Sequence, residues 1–375
     1  MRLGLIYHRF ASGGGLENYL LEFAVRLRAQ GHELHLVTGN VAEEIESRLS
    51  AIVHRVQLPR GSSLLRQWKF ERAASDIATR LPVDATIGFG RTTTHDLHRA
   101  SGGCHKVYSR LLPPWKRWSA RNWFELHLEK QLYTSGRTKL FVVNSAQVGR
   151  QIQQAYRVAP ERIRVIHTAV DAERYHPAED RMSLKKEISA ALQSDAARPA
   201  FLFASLEHRR KGLDVLLDIW GEVDADLWIA GKSLCQSYRR KIDNRSLKSK
   251  IRYFEGDMDL ARLFRAADWF IHPTLYDACA NTVLQSMASG LPGLISANDG
   301  AMEFIRDGEN GFVLPQPRDA ASVLAVVRRA RSTGEVARQR LALAARETML
   351  RLSWDAHIEK WMTAIEEIRR RSPHN

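Results

Sequence analysis

Cysteine is scarce in this chain: three residues in 375, Cys104, Cys235 and Cys279. They stand far apart, with neither the density of a disulfide framework nor the short spacing of a metal-binding pair. A disulfide-stapled fold is excluded, and a reducing compartment, the cytoplasm, is expected. Long apolar runs are also missing, since no stretch approaches the roughly 18 uncharged residues that a membrane-spanning helix needs. The chain is therefore not expected to cross a membrane. The first residues, MRLGLIYHRF, turn strand-like at once and lack the basic region, apolar core and small-residue cleavage site of a signal peptide. The mature chain is expected to begin at or near Met1.

What is present describes a soluble protein of two lobes. Hydrophobic residues make up 44% and charged residues 26% of the chain, an ordinary globular composition. A length of 375 residues exceeds the roughly 250 to 300 at which single cores stop growing. A net charge of +14 and a pI near 9.9 call for an acidic partner, which can be a nucleic acid, an anionic membrane surface or a phosphorylated substrate. Charge alone does not choose among them.

Apolar runs and helical periodicity alternate along both halves. Residues 2–7 read as a strand, followed by the turn-rich Ala11–Gly15, a helical pattern that stops at Gly31, and a strand over 33–38. Further strands are predicted at 51–56, 85–89, 140–143 and 163–166. A second series starts with the strand 199–204. It continues with helices at 212–221, 234–246, 260–267 and 300–306, a helix after residue 280, and strands at 225–230, 251–255, 269–272, 293–296 and 311–314. Such alternation predicts two doubly wound parallel sheets. The expected division is an amino-terminal Rossmann-like domain over 1–175, a polar linker over 176–198 carrying Pro177, a second Rossmann-like domain over 199–352, and a terminal helix and tail over 353–375.

In open sheets of this kind ligands bind at the carboxyl ends of the strands. Three segments fall there. Gly13, Gly14 and Gly15 precede a helix, where backbone N–H groups can approach an anion or simply make a tight turn. His208-Arg209-Arg210-Lys211-Gly212 follows a strand; it is either a solvated basic run or a diphosphate grip. In TLYDACANTVLQSMASGLP, over 274–292, helix formation from Asn281 presents the N–H groups of Asn281, Thr282 and Val283, with Asp277 before them and Gln285 one turn inside. By spacing alone the simpler reading, an N-capping aspartate or asparagine and an exposed glutamine, is favoured for this stretch. A fourth segment, KVYSRLLPPWKRWSARNWFELHLEK over 106–130, interleaves Trp115, Trp118 and Trp123 with Lys116, Arg117 and Arg121. That pattern fits an anionic bilayer surface, single-stranded nucleic acid, or a helix using its tryptophans as core.

Taken together, GGGLENYLLEFAVRLRAQGHELHLVTG, VIHTAVDAERYHP, HRRKGLDVLL, AADWFIHPTLYDACANTVLQSMASGLPGLI, GAMEFIRDGENGFVL and the terminal LSWDAHIEKW resemble the retaining glycosyltransferases of family 4. The resemblance implies the α/β GT-B fold: two doubly wound Rossmann-like domains facing a cleft, with a carboxyl-terminal helix returning to the first domain. The most similar layouts belong to enzymes that extend the lipopolysaccharide core. It further implies a hexosyltransferase that uses a nucleotide-sugar, a UDP-sugar, and acts on a lipopolysaccharide core or similar glycolipid. The enzyme would lie on the inner face of the plasma membrane through Trp115, Lys116, Arg117, Trp118, Arg121 and Trp123. No metal or other cofactor is implied and no nucleic acid is expected.

By position, Arg210 and Lys211 would neutralise the donor diphosphate together with the N–H groups of Gly13–Gly15 and Asn281–Val283. Asp277 would face the sugar, and Gln285 the ribose. The family usually carries glutamates at those last two places, so a shorter carboxylate and a neutral amide mark departures. A relative that binds nucleotide or glycan without transfer is the alternative, and a nucleic-acid-binding protein a more distant one. Many relatives set a histidine or acidic residue near the sugar where this chain reads RASGGCHKVY, which makes His105 the candidate.

Overall fold

An apolar run without polar alternation forms a stable strand only when both of its faces are covered. Phe201 and Phe203 enter one buried cluster, Leu202 and Ala204 another, so successive side chains of one strand feed separate cores on opposite faces of a sheet. The computed structural model describes residues 1–11, 13–244, 247–254 and 259–371. The end of the strand expected over 251–255, the end of the helix expected over 234–246 and the last four residues of the tail lie outside them.

Among the described residues the chain divides into two units, Met1–His167 with the segment from Asp355 onward, and Thr168–Trp354. In the first, β1 (Arg2–Ile6), β3 (Glu33–Thr38), β5 (Ile52–Arg55), β6 (Ala85–Gly88), β7 (Leu97–Arg99), β8 (Leu140–Val143) and β9 (Ile163–Val165) form one sheet. Its order is β5-β3-β1-β6-β7-β8-β9, with every neighbouring pair parallel. The short strands β2 (Arg9–Phe10) and β4 (Asn40–Val41) pair beside it. The terminal helix Trp354–Arg370 belongs to this unit: fully buried Trp361 sits 5.2 Å from the Phe23 ring and 6.3 Å from Phe89. His357 ties the same helix down, accepting or donating to Tyr19 Oη at 2.7 Å and bonding the His167 carbonyl at 2.7 Å.

In the second unit β10 (Ala200–Ser205), β11 (Asp226–Gly231), β12 (Ile251–Tyr253), β13 (Trp269–His272), β14 (Gly293–Ser296) and β15 (Gly311–Leu314) form a sheet ordered β12-β11-β10-β13-β14-β15. It too is parallel throughout. Order reverses between β10 and β13, the kind of switch point at which crevices open in doubly wound sheets.

Two expectations change. The segment 300–306 forms a 3₁₀ helix, Gly300–Phe304, rather than an α-helix. The stretch expected as a linker, 176–198, instead contains the helix Arg181–Ala191, and the unit boundary falls at His167 and Thr168. The reason is a buried ion cluster invisible in composition. Asp268, just before β13, takes Arg181 Nη1 at 2.6 Å, Lys185 Nζ at 2.7 Å and the Ala200 N–H at 2.8 Å. Burial pushes this carboxyl up, but Lys185 and Arg181 outweigh it and hold it below its ordinary value. A depressed folded-state pKa means that its contribution is complete above the unfolded-state pKa and is lost as pH falls through the folded one. Asp268→Ala leaves buried Lys185 without its carboxylate, holding only the Arg198 carbonyl at 2.8 Å, and is expected to cost about 3 kcal/mol in denaturant unfolding at neutral pH. The difference from wild type should shrink as the unfolding series is taken below about pH 4.

Candidate active site

Because β10 and β13 are neighbours, the segments leaving their carboxyl ends meet. The first is the turn Glu207–Gly212 and the second runs from Pro273 to Ala280. Gly212 lets them touch: its φ is +86°, and a Cβ at that position would stand 2.2 Å from the Pro273 carbonyl oxygen. Only glycine adopts that conformation at that separation. The Arg210 carbonyl then accepts the Leu275 N–H at 2.8 Å, and the side chains of Arg210 and Lys211 are delivered to the end of β13.

There the Lys211 ammonium rests on the Asp277 carboxylate and lies 3.3 Å from His272 Nε2. Arg210 donates Nη1 to the Tyr276 carbonyl at 2.8 Å and reaches Asp277 Oδ2 at 3.5 Å. Glu207 holds its other edge, at 2.9 and 3.1 Å. Asp299, fully buried after β14, accepts the N–H groups of Ala280 and Ala301 on Oδ1 at 3.1 and 2.8 Å. Its Oδ2 is 3.4 Å from His272 Nε2. The residues picked out from sequence thus include Arg210, Lys211 and Asp277 in direct contact. His272, Asp299 and Glu207 were missed, although a lone polar residue closing the apolar strand WFIH was a usable signal for the first.

Burial dominates the electrostatics of this cluster. It pushes His272 well below its ordinary value, with Lys211 and Arg210 adding to the effect, so the imidazole is neutral. It raises the Asp299 carboxyl against the pull of Lys211. Burial and then Arg210 draw Lys211 down to about 7, against the pull of Asp299 and Glu207. His272, Asp277 and Asp299 bring one ligand atom each to within 4.8 Å of one another, a set that a divalent cation can use. Lys211 and Arg210 already contact Asp277, so two basic side chains share the place such a cation would take.

The helix Asn281–Ala288 begins four residues beyond Asp277, and no side chain of the preceding Ala280 caps it. Asn281 and Thr282 are half-buried, and the Thr282 N–H meets no acceptor among the described residues. Val283 differs from expectation: its side chain is fully buried and its N–H donates to the Ala280 carbonyl at 3.0 Å. It is a core residue of the helix rather than an anion donor. Gln285 stands half-buried one turn in.

The remaining candidates lie in the first unit. Gly13, with φ +132°, turns its N–H toward Asn18 Oδ1 at 3.4 Å, and Gly14 precedes the helix Gly15–Ala29. His105 is buried, with Nε2 2.8 Å from Asn122 Oδ1 and Nδ1 3.5 Å from Glu125. It does not reach the cavity described next. At the carboxyl ends of β1, β6 and β7 opens a cavity of about 590 Å³, walled by Tyr7, Phe70, Phe89 and Tyr133 and by the loop residues Gly102 and Gly103. Glu125 faces it, held by Arg91 at 3.2 Å and Arg121 at 3.4 Å. Trp115, Trp118 and Trp123 are 69, 83 and 68% exposed, which removes them from the core. Lys116, Arg117 and Arg121 are exposed beside them.

Residues 13–174 match the family model described as Glycosyltransferase Family 4, and residues 198–331 the one described as Glycosyl transferases group 1. The lipopolysaccharide glucosyltransferase WaaG of Escherichia coli (strain K12) is 20% identical over 346 residues, covering 88% of this chain and 89% of that protein. A GDP-mannose-dependent alpha-mannosyltransferase of Mycobacterium tuberculosis (strain CDC 1551 / Oshkosh) is 23% identical over 382 residues, covering 95% and 94%. Among solved structures, WaaG, a glycosyltransferase involved in lipopolysaccharide biosynthesis, superposes with a TM-score of 0.80 at 18% identity over 92% of this chain and 95% of that one. Anabaena Alr3699/HepE in complex with UDP and glucose does so at 0.76 and 16% identity, over 98% and 100%. With a family 4 domain followed by a group 1 domain on two Rossmann-like parallel sheets, the chain belongs to the glycosyltransferases of the GT-B type.

Proposed function

We propose that this glycosyltransferase moves a hexose from a UDP-sugar to a lipopolysaccharide core or similar membrane-anchored glycan, with retention of configuration and without a metal ion. The observation that carries the donor half is the contact of Lys211 and Arg210 with the Asp277 loop, beside the start of the helix Asn281–Ala288. A leaving diphosphate gains charge as the glycosidic bond to the donor breaks, and preformed cations and helix N–H groups stabilise it without reorganising. Lys211 exchanges Asp277 for a phosphate oxygen, which frees the carboxylate toward the sugar. Gln285 hydrogen-bonds the ribose, and the Gly13–Gly15 loop supplies further N–H groups to the anion. In retention on one sugar face the departing phosphate oxygen helps to take the proton of the acceptor hydroxyl, so no protein nucleophile is needed.

Support for the nucleotide and acceptor comes from relatives. HepE of Anabaena was solved with UDP and with UDP-glucose, and WaaG is named for lipopolysaccharide. Support for a place on the inner face of the plasma membrane comes from three exposed tryptophans among exposed cations. Rings of this kind sit at headgroup depth, and each nearby cation adds on the order of 1 kcal/mol on an anionic surface. Gln285 motivates the second reading, a protein that binds nucleotide or glycan without transfer, because a neutral amide is a weaker ribose acceptor than a carboxylate.

Incubating the purified protein with UDP- and GDP-sugars and extracted glycolipid should release UDP, with EDTA leaving the rate unchanged. Absence of turnover with every donor would favour the second reading. Lys211→Ala should lower turnover on the order of 100-fold; a near-wild-type rate would remove Lys211 from the site. Replacing Trp115, Trp118 and Lys116 together by alanine should weaken sedimentation with anionic vesicles by at least about tenfold while thermal unfolding stays as in wild type. Unaltered vesicle binding would count against the membrane role.

A further inference from the structure

The cavity of the first unit is lined by five arginines and only two glutamates, with no aspartate or lysine. The guanidiniums are not equivalent. Arg91 is committed to Glu125 at 3.2 Å and Glu129 at 3.9 Å. Arg99 is buried and lies over the Tyr19 ring, 3.6 Å from its centroid, and Arg121 shares Glu125 at 3.4 Å. Glu125 is thus engaged by two arginines of the same wall, while Glu129 accepts the His105 and Lys106 N–H groups and the Tyr156 hydroxyl.

Arg9 and Arg66 remain. Both are exposed at the cavity lining, and neither guanidinium has a carboxylate partner among the described residues. Their positions are built rather than incidental. Arg9 is fixed by the pairing of β2 with β4, opposite Asn40, and Arg66 projects from the first turn of the helix Ser63–Ala78, one turn before buried Phe70. A guanidinium offers a planar fork of donors matched to phosphate or carboxylate oxygens. The same lining carries the rings of Tyr7, Phe70, Phe89 and Tyr133, so aromatic faces and charged groups share one concave site, as in small-molecule pockets.

We infer that this cavity selects an anionic saccharide, one whose sugar carries a phosphoryl or carboxyl group, and that Arg9 and Arg66 are the specificity-determining residues that hold that group. The inference rests on the transferase reading above and names the acceptor class within it. The acceptor's charge is taken by Arg9 and Arg66 while its ring lies on the aromatic wall. Glu125, pinned by Arg91 and Arg121, accepts from its hydroxyls.

Binding of glucose, glucose 6-phosphate, glucuronate and inorganic phosphate is to be compared by titration calorimetry. A background carrying both Arg210→Ala and Lys211→Ala removes the two cations of the second unit that the donor reading assigns to an anion. Glucose 6-phosphate or glucuronate should bind at least tenfold more tightly than glucose and than inorganic phosphate, and whichever is tighter identifies the group. Adding Arg9→Gln and Arg66→Gln should reduce the preference over glucose to less than twofold, with circular dichroism and thermal unfolding unchanged. Equal binding of glucose and both anionic sugars would overturn the inference, as would inorganic phosphate binding as tightly as the sugars, or a preference that survives the double substitution. UDP binding by the protein with Arg210 and Lys211 intact separates this from the reading beneath it. UDP bound without anionic-sugar preference refutes only the acceptor class; anionic-sugar preference without UDP binding refutes only the donor assignment.

Discussion

The proposed donor site of this protein depends on two backbones touching. Where the turn after β10 meets the segment after β13, Gly212 has no side chain and a left-handed φ of +86°, and the Pro273 carbonyl occupies the space that a Cβ would need. From that contact follows the meeting of Lys211 and Arg210 with Asp277, and from burial of the resulting group follow the neutral His272 and the lowered Lys211. A buried ammonium on a carboxylate is a costly arrangement to maintain if nothing else ever binds there. An incoming diphosphate offers the ammonium more charge and more oxygens than Asp277 does, which is why the same cluster is suited to an exchange of partners.

The first unit treats charge differently. Arg91 and Arg121 share Glu125 on one wall of the cavity, Arg99 lies over the Tyr19 ring, and Arg9 and Arg66 line the cavity without a carboxylate partner among the described residues. The exposed tryptophans of 115–123 lie in the same unit, and Arg121 of that segment also lines the cavity. Arg121 is thus shared by the cavity and the basic aromatic segment, an arrangement that suits the proposed lipid-carried acceptor.

Much of the fold was legible in the sequence because both-faced burial leaves uninterrupted apolar runs: FLFA, LWIA and LFVV read as strands and are strands. β7 was not legible, since Leu-His-Arg is short and two-thirds polar; its burial is imposed by neighbours rather than by its own composition. The helix Arg181–Ala191 was hidden for a related reason, its anchor Asp268 lying 83 residues from Lys185 in sequence. At the site, the cations and Asp277 were visible as a basic run and an acidic loop at strand ends. Asp299 was not, because its role comes from backbone N–H groups of Ala280 and Ala301, which sequence spacing does not encode. Val283 was misassigned by counting the first three helical N–H groups as equivalent, whereas the Ala280 carbonyl claims the third.

The central claim is that Lys211, Arg210 and the start of the helix Asn281–Ala288 form a site for a nucleoside diphosphate. Titration calorimetry of the wild-type protein with UDP and with UMP, at matched ionic strength, tests it most directly, since the two ligands differ only in the terminal phosphate. The account predicts that UDP binds at least about tenfold more tightly, the effect of one charge-assisted contact or more. Equal affinities for UMP and UDP would contradict it.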